Sequence, residues 1–313
     1  MIFTPIYENV FDYARSSMTY ASQEGVFFSA PALPATGSHL LRSIYAKTGI
    51  HISALPVSTI RSAFQQKDIN ESLLRVFQAR PLQVLPFAHT GFITPYFALG
   101  AYASTKVTTE FREFSTDGLP QLWIQNHAQG GILGNFSFPI IGNFYGGISP
   151  KFVFFSDIRE DLGLNQLDSL NLSKTIKTLR LKPQYHIDSQ ILYKSSIISL
   201  SLLHHEPLGL IHAGVGLTFR NSLHGLHLGT DLKDIQNISH THWTRRFSTH
   251  CTYVFQKWLG LSYGIRDGTI AYSVALRLLV LRLEASMYTE DFGTYLNTQP
   301  VNHYALSLGM ELG

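Results

Sequence analysis

The C-terminal stretch His303-Tyr-Ala-Leu-Ser-Leu-Gly-Met-Glu-Leu312 places Tyr304, Leu306, Leu308, Met310 and Leu312 at one parity and Ala305, Ser307, Gly309 and Glu311 at the other. A strand sends successive side chains to opposite faces, so this reads as a strand with one apolar face and one small, polar face. The pattern continues backwards. Leu281, Leu283, Ala285 and Met287 alternate with Arg282, Glu284, Ser286 and Tyr288; Leu259, Leu261, Tyr263 and Ile265 alternate with Gly260, Ser262, Gly264 and Arg266. Phe247, Thr249, Cys251, Tyr253 and Phe255 alternate with Ser248, His250, Thr252, Val254 and Gln256. A train of such strands is the signature of a transmembrane β-barrel, apolar toward lipid and polar toward the lumen.

Composition agrees. Charged residues are 14% of the 313, below the roughly 25% of ordinary soluble domains. A barrel tolerates this because half of its strand positions meet hydrocarbon. The aromatic content of 12% suits interfacial girdles, and Trp123, Trp243 and Trp258 are expected at the membrane surfaces. No apolar run is long enough for a helical span. The net charge of +3 is scattered, which argues against a nucleic-acid partner. Cys251 is the only cysteine, so no internal disulfide forms, and alternation puts its thiol on the lipid face. Met1-Ile-Phe-Thr-Pro5 lacks the basic and apolar regions of an export signal, so a processed form is expected.

Residues 1–36 do not read as wall. They are rich in Pro, Gly and small residues near Phe28-Ser-Ala-Pro31-Ala-Leu33, and form a separate segment before a barrel over 37–313. Within 58–79, Ile69, Leu73, Val76 and Phe77 have helical spacing and predict a short helical insertion. Connections at 203–208, 233–245, 267–268 and 288–302 alternate with short turns near 194, 221–223, 256–258 and 278–279, and 158–184 reads as an external loop with a helical piece. Bacterial barrels have this rhythm of short periplasmic turns and longer outer loops.

Chemistry is sparse. His240 and His242 share a strand-like spacing but lack a nearby Cys or carboxylate, so no metal is expected. His204-His205-Glu206 reads as a solvated hairpin tip. His250 shares a face with Ser248 and Thr252, yet no Gly-x-Ser-x-Gly elbow occurs, and no enzymatic activity or cofactor is expected beyond a bound lipid. Gly130-Gly131-x-x-Gly134 follows no βαβ pattern; relief of crowding within the wall explains it. Arg266, Arg277, Arg282, Glu284 and Glu311 fall on the polar parity and predict a neutralising lumenal network.

Leu226-His-Leu-Gly-Thr-Asp231-Leu-Lys-Asp234-Ile235, Arg246-Phe247, Leu261-Ser-Tyr-Gly264-Ile-Arg-Asp267-Gly268 and Leu281-Arg-Leu-Glu-Ala-Ser-Met-Tyr288-Thr-Glu290-Asp-Phe-Gly293 resemble the C-terminal part of FadL-related outer-membrane barrels, in particular the PorV-like and TraF-like branch. His212-Ala-Gly-Val-Gly216-Leu-Thr-Phe-Arg-Asn221 resembles the preceding strand and turn, and Phe28 to Leu33 a blurred form of the N-terminal element of that family. The resemblance implies an outer-membrane location in a Gram-negative bacterium, a barrel of about 14 strands and an N-terminal hatch filling its lumen. It implies two alternative functions. As in the PorV-like branch, the barrel would be a docking platform or accessory component for a protein partner in a secretion or assembly complex, through outer loops carrying Trp243, Phe292 and Tyr295. As in FadL itself, it would transport hydrophobic small molecules through a side opening. Phe11, Tyr13, Met18, Tyr20, Phe27 and Phe28 are the candidate hatch residues, either lining a pocket for a lipid-like ligand or forming the plug's own packing.

Overall fold

The computed structural model describes residues 30–36, 43–53, 82–112, 121–163, 181–206, 209–238, 242–266, 268–291 and 300–312. Fourteen strands run β1 (Ser43–Ser53), β2 (Leu82–Ile93), β3 (Phe97–Arg112), β4 (Gln121–Ile141), β5 (Phe144–Gly163), β6 (Lys182–Lys194), β7 (Ile198–His205), β8 (Leu210–Arg220), β9 (His224–Leu232), β10 (Phe247–Phe255), β11 (Leu259–Arg266), β12 (Thr269–Leu278), β13 (Leu281–Asp291) and β14 (Pro300–Leu312). Each pairs antiparallel with its sequence neighbours, and β14 returns to β1 from Ile44 opposite Leu312 to Ser53 opposite His303. The sheet therefore has no edge, as backbone groups in hydrocarbon require.

Burial follows the alternation. Tyr304, Leu306, Leu308, Met310 and Leu312 are exposed on the outer face, while His303, Ala305, Ser307 and Glu311 are buried inside. Leu261 faces out and Ser262 in, and Cys251 shares the outer parity with Tyr253. One register row of inward positions, His227, Thr252, Ser262, Ser273, Ser286, Ala305 and His51, crosses from β9 to β1, its five middle members small or hydroxylated and a histidine at each end. Thr252 and Ser262 share a 2.9 Å hydroxyl–hydroxyl hydrogen bond within it.

Short turns gather at one end: 94–96, 142–143, 195–197, 221–223, 256–258 and 279–280. The other end carries the connections 54–81, 113–120, 164–181, 206–209, 233–246, 267–268 and 292–299. Trp258 lies in a turn-end hairpin and Trp243 in a helical turn (Trp243–Arg246) at the loop end, both exposed, bracketing β10 at the two expected interfaces.

Several boundaries shift. β5 continues to Gly163 and β6 begins at Lys182, so strand occupies both margins of the expected 158–184 loop. β13 runs to Asp291 and β14 starts at Pro300, shortening the 288–302 connection. The β12–β13 turn is Leu279-Val280, one residue later than expected, with Leu279 at φ +56°. The helical segment 58–79 lies outside the described residues. Gly131 lies within β4, where a Cβ would stand 2.4 Å from the Phe152 carbonyl oxygen, so the glycine does relieve crowding between β4 and β5.

Candidate functional site

The interior is chemically divided. In the sector built from β1 to β6, the inward residues Tyr45, Ile93, Ala98, Tyr102, Leu133, Val153 and Leu192 form an apolar cluster, completed by Ala30, Ala32 and Leu33. Residues 30–36 therefore pack inside the barrel against its wall. Polar contacts fix them. The Ala32 amide donates to Gln190 Oε1 at 2.7 Å, and Gln190 Nε2 donates to Ser201 Oγ at 2.7 Å. Ser137 Oγ donates to the Pro31 carbonyl at 2.5 Å. A Cβ on Gly147 would lie 2.2 Å from the Pro31 carbonyl carbon and 2.4 Å from the Ala32 nitrogen. Only glycine lets the inserted backbone lie this close to the wall.

Of the five charges expected on the polar parity, Arg277, Arg282, Glu284 and Glu311 form ion pairs among the described residues. Lys47 on β1 bonds Glu284 on β13, spanning the intervening β14; both side chains are essentially excluded from solvent. Arg282 reaches Glu284 Oε1 at 2.6 Å, and Ser307 Oγ on β14 donates to Glu284 Oε2 at 3.3 Å. Arg277 pairs with Glu311 at 3.1 Å. Nearer the loop end, Asp188 accepts from Lys151 Nζ at 2.5 Å and lies 2.6 Å from His205 Nδ1. His205 is thus the end of β7 and part of an interior ion cluster, not a solvated tip: the β6–β7 register sets it directly opposite Asp188.

A ladder of rings lines β13, β14, β1 and β2 on the same inner surface. Tyr288 stacks on His303 at 4.9 Å and its hydroxyl lies 3.2 Å from His51 Nδ1. His51 meets Phe87 edge-on at 5.2 Å, Phe87 stacks on His89 at 5.8 Å, and His89 meets Tyr45 at 5.6 Å. Three of the six rings are imidazoles and two are phenols, so stacking faces alternate here with hydrogen-bonding edges. No single motif announces this ladder, because its members come from four strands and meet only through register.

Of the expected site residues, Phe11, Tyr13, Met18, Tyr20, Phe27, Phe28, Phe292 and Tyr295 lie outside the described residues. Trp243 is exposed at the loop end. His242 caps the following helical turn, its Nδ1 accepting from the Thr244 amide at 3.4 Å. Among the described residues no cluster has the composition of a metal site. His250 stacks on His227 at 5.2 Å and its ring covers Gly229, while the Thr252 hydroxyl is bonded to Ser262.

These features define a closed, transmembrane fourteen-stranded barrel with an apolar segment folded into its interior. No protein-family profile and no characterised protein matches the sequence. Among solved structures, the deltaS2S3 mutant of the TodX monoaromatic hydrocarbon channel aligns over 97% of this chain and 98% of its own, with a TM-score of 0.58 and 9% identity. The Ralstonia pickettii toluene transporter TbuX aligns over 97% of both chains, with a TM-score of 0.55 and 8% identity. A Pseudomonas aeruginosa FadL homologue covers 97% of this chain at a TM-score of 0.48 and 10% identity, too low to add to the comparison. The likeness to these two structures is one of barrel fold, over 97% of this chain.

Proposed function

We propose that this protein is an outer-membrane channel that takes small hydrophobic molecules into its interior and passes them across the membrane, with residues 1–36 acting as its hatch. The observation that carries the reading is the apolar packing of Ala30, Ala32 and Leu33 on inward-facing Ile93, Leu133 and Leu192. An aqueous pore has a polar lumen; here one sector of the interior is hydrocarbon-like and occupied by chain. The ring ladder from His303 to Tyr45 supplies stacking faces beyond it. The likeness of fold to two proteins described as hydrocarbon and toluene carriers supports the same choice. In this reading Phe11, Tyr13, Met18, Tyr20, Phe27 and Phe28 extend the apolar lining.

The docking-platform reading rests on the outer loops, of which Trp243 is the described recognition candidate, and the comparisons favour transport over it. We assign the protein no catalytic role. Extraction in mild detergent followed by mass spectrometry of co-purifying proteins and small molecules separates the readings. Transport predicts a retained hydrophobic compound and no stoichiometric protein; a stoichiometric envelope protein without such a compound overturns the proposal.

A further inference from the structure

The outer wall of β8–β11 carries an open groove of about 370 Å³. Two neighbouring register rows form it. One row is Val215, Thr230, Thr249 and Ile265; the other is Leu217, Leu228, Cys251 and Tyr263. All eight have the outward parity of their strands. Large side chains stand at the flanks, and the small Thr230, Thr249 and Cys251 leave the middle low. Behind this floor the inward positions are Gly229, His250 and Gly264. The groove lies between the levels of Trp243 and Trp258, at the ends of β10, so bilayer hydrocarbon is the medium against it.

The floor also has polarity, which a merely lipid-exposed surface does not need. Thr230 Oγ1 donates to Thr249 Oγ1 at 3.3 Å, and Thr249 Oγ1 donates to the Gly229 carbonyl at 3.2 Å. Both hydroxyl protons are thereby directed along the wall. The Thr230 oxygen keeps its acceptor lone pairs for a donor arriving from the groove. In a medium without water such an acceptor discriminates strongly in favour of a partner carrying one hydroxyl.

We propose that this groove is a binding site for the acyl chain of a membrane lipid, with preference for a chain that bears a hydroxyl group donating to Thr230. The site is on the outside of the wall and does not depend on the transport reading.

The purified full-length protein, stripped of native lipid and equilibrated with mixed micelles of dioleoyl and diricinoleoyl phosphatidylcholine, tests it by mass spectrometry of the retained lipid. The two lipids differ by one hydroxyl on each chain. The wild type should retain one lipid per barrel, enriched about fivefold for the hydroxylated chain. Thr230→Val should keep the lipid and lose the enrichment. Cys251→Phe should release it, while Leu306→Phe on the outer face of β14 should not. Alkylating Cys251 of the folded protein with a bulky maleimide repeats the block without any effect on folding. Equal retention by wild-type and Cys251-blocked protein would overturn the site; wild-type retention without enrichment would overturn the hydroxyl preference. Retention of a small aromatic compound in place of lipid would overturn the acyl-chain assignment.

Discussion

Glu284→Gln tests how the barrel is closed. Lys47 and Glu284 belong to strands on either side of β14, and Ser307 of β14 bonds the same carboxylate, so one acidic side chain joins the three strands at the seam where the chain's two ends meet. Both charged groups are almost fully buried. Removing one member of such a pair costs ~3–5 kcal/mol, because the other keeps its charge in a low-dielectric site. Glu311→Gln is the internal control: its partner Arg277 is about a third exposed, and solvent screening reduces that loss to ~1 kcal/mol or less. Urea titration in detergent micelles followed by tryptophan fluorescence, with heat-dependent gel mobility as the measure of folded barrel, reads both. Glu284→Gln should lower the transition far more than Glu311→Gln, and adding Lys47→Met to Glu284→Gln should recover ~1–2 kcal/mol, the coupling of contacting residues. Equal losses for the two glutamates, or strictly additive effects of Lys47→Met and Glu284→Gln, would refute the seam clip.

Three further outcomes are expected. Leu261→Arg should cost ~2–4 kcal/mol of folded barrel while Leu261→Phe is tolerated, because this position meets hydrocarbon; equal folding on a heat-mobility gel would contradict the register. Gln256 and Lys257 hold φ of 45° and 64° in a turn closed by the Trp258 amide on the Phe255 carbonyl at 3.1 Å, so Gln256→Asn with Lys257→Gly should stabilise by ~1–2 kcal/mol, read as a higher urea midpoint. An unchanged midpoint would show that the turn is not strained. Gly147→Val should displace Pro31 and Ala32 from the wall and make the chain near residue 33 sensitive to protease, whereas wild-type protection in the variant would contradict the close approach.

Strand parity was legible because lipid and lumen impose opposite chemistry on alternate residues, so Leu261 and Ser262 declare their sides without a structure. Strand ends were less so. Above the membrane a strand no longer needs an apolar face, and the charged run Arg159-Glu-Asp161 continues β5 although its composition reads as loop. The Leu279-Val280 turn has neither glycine nor asparagine to mark it. The lumenal charges were readable as a class, but the pairing of Lys47 with Glu284 needs strands at opposite ends of the chain to become near neighbours. The same holds for His205, whose partner Asp188 lies across the β6–β7 register. Nothing in Ala30-Pro31-Ala32-Leu33 alone indicates that Gly147 and Gln190 would hold it.

Flux through reconstituted liposomes tests the central claim most directly. With the wild-type protein, entry of toluene should be accelerated over protein-free vesicles, while osmotic swelling in small sugars of comparable size should remain at the protein-free rate. Rapid swelling in sugars together with unaccelerated toluene entry would show an open aqueous pore and contradict the account.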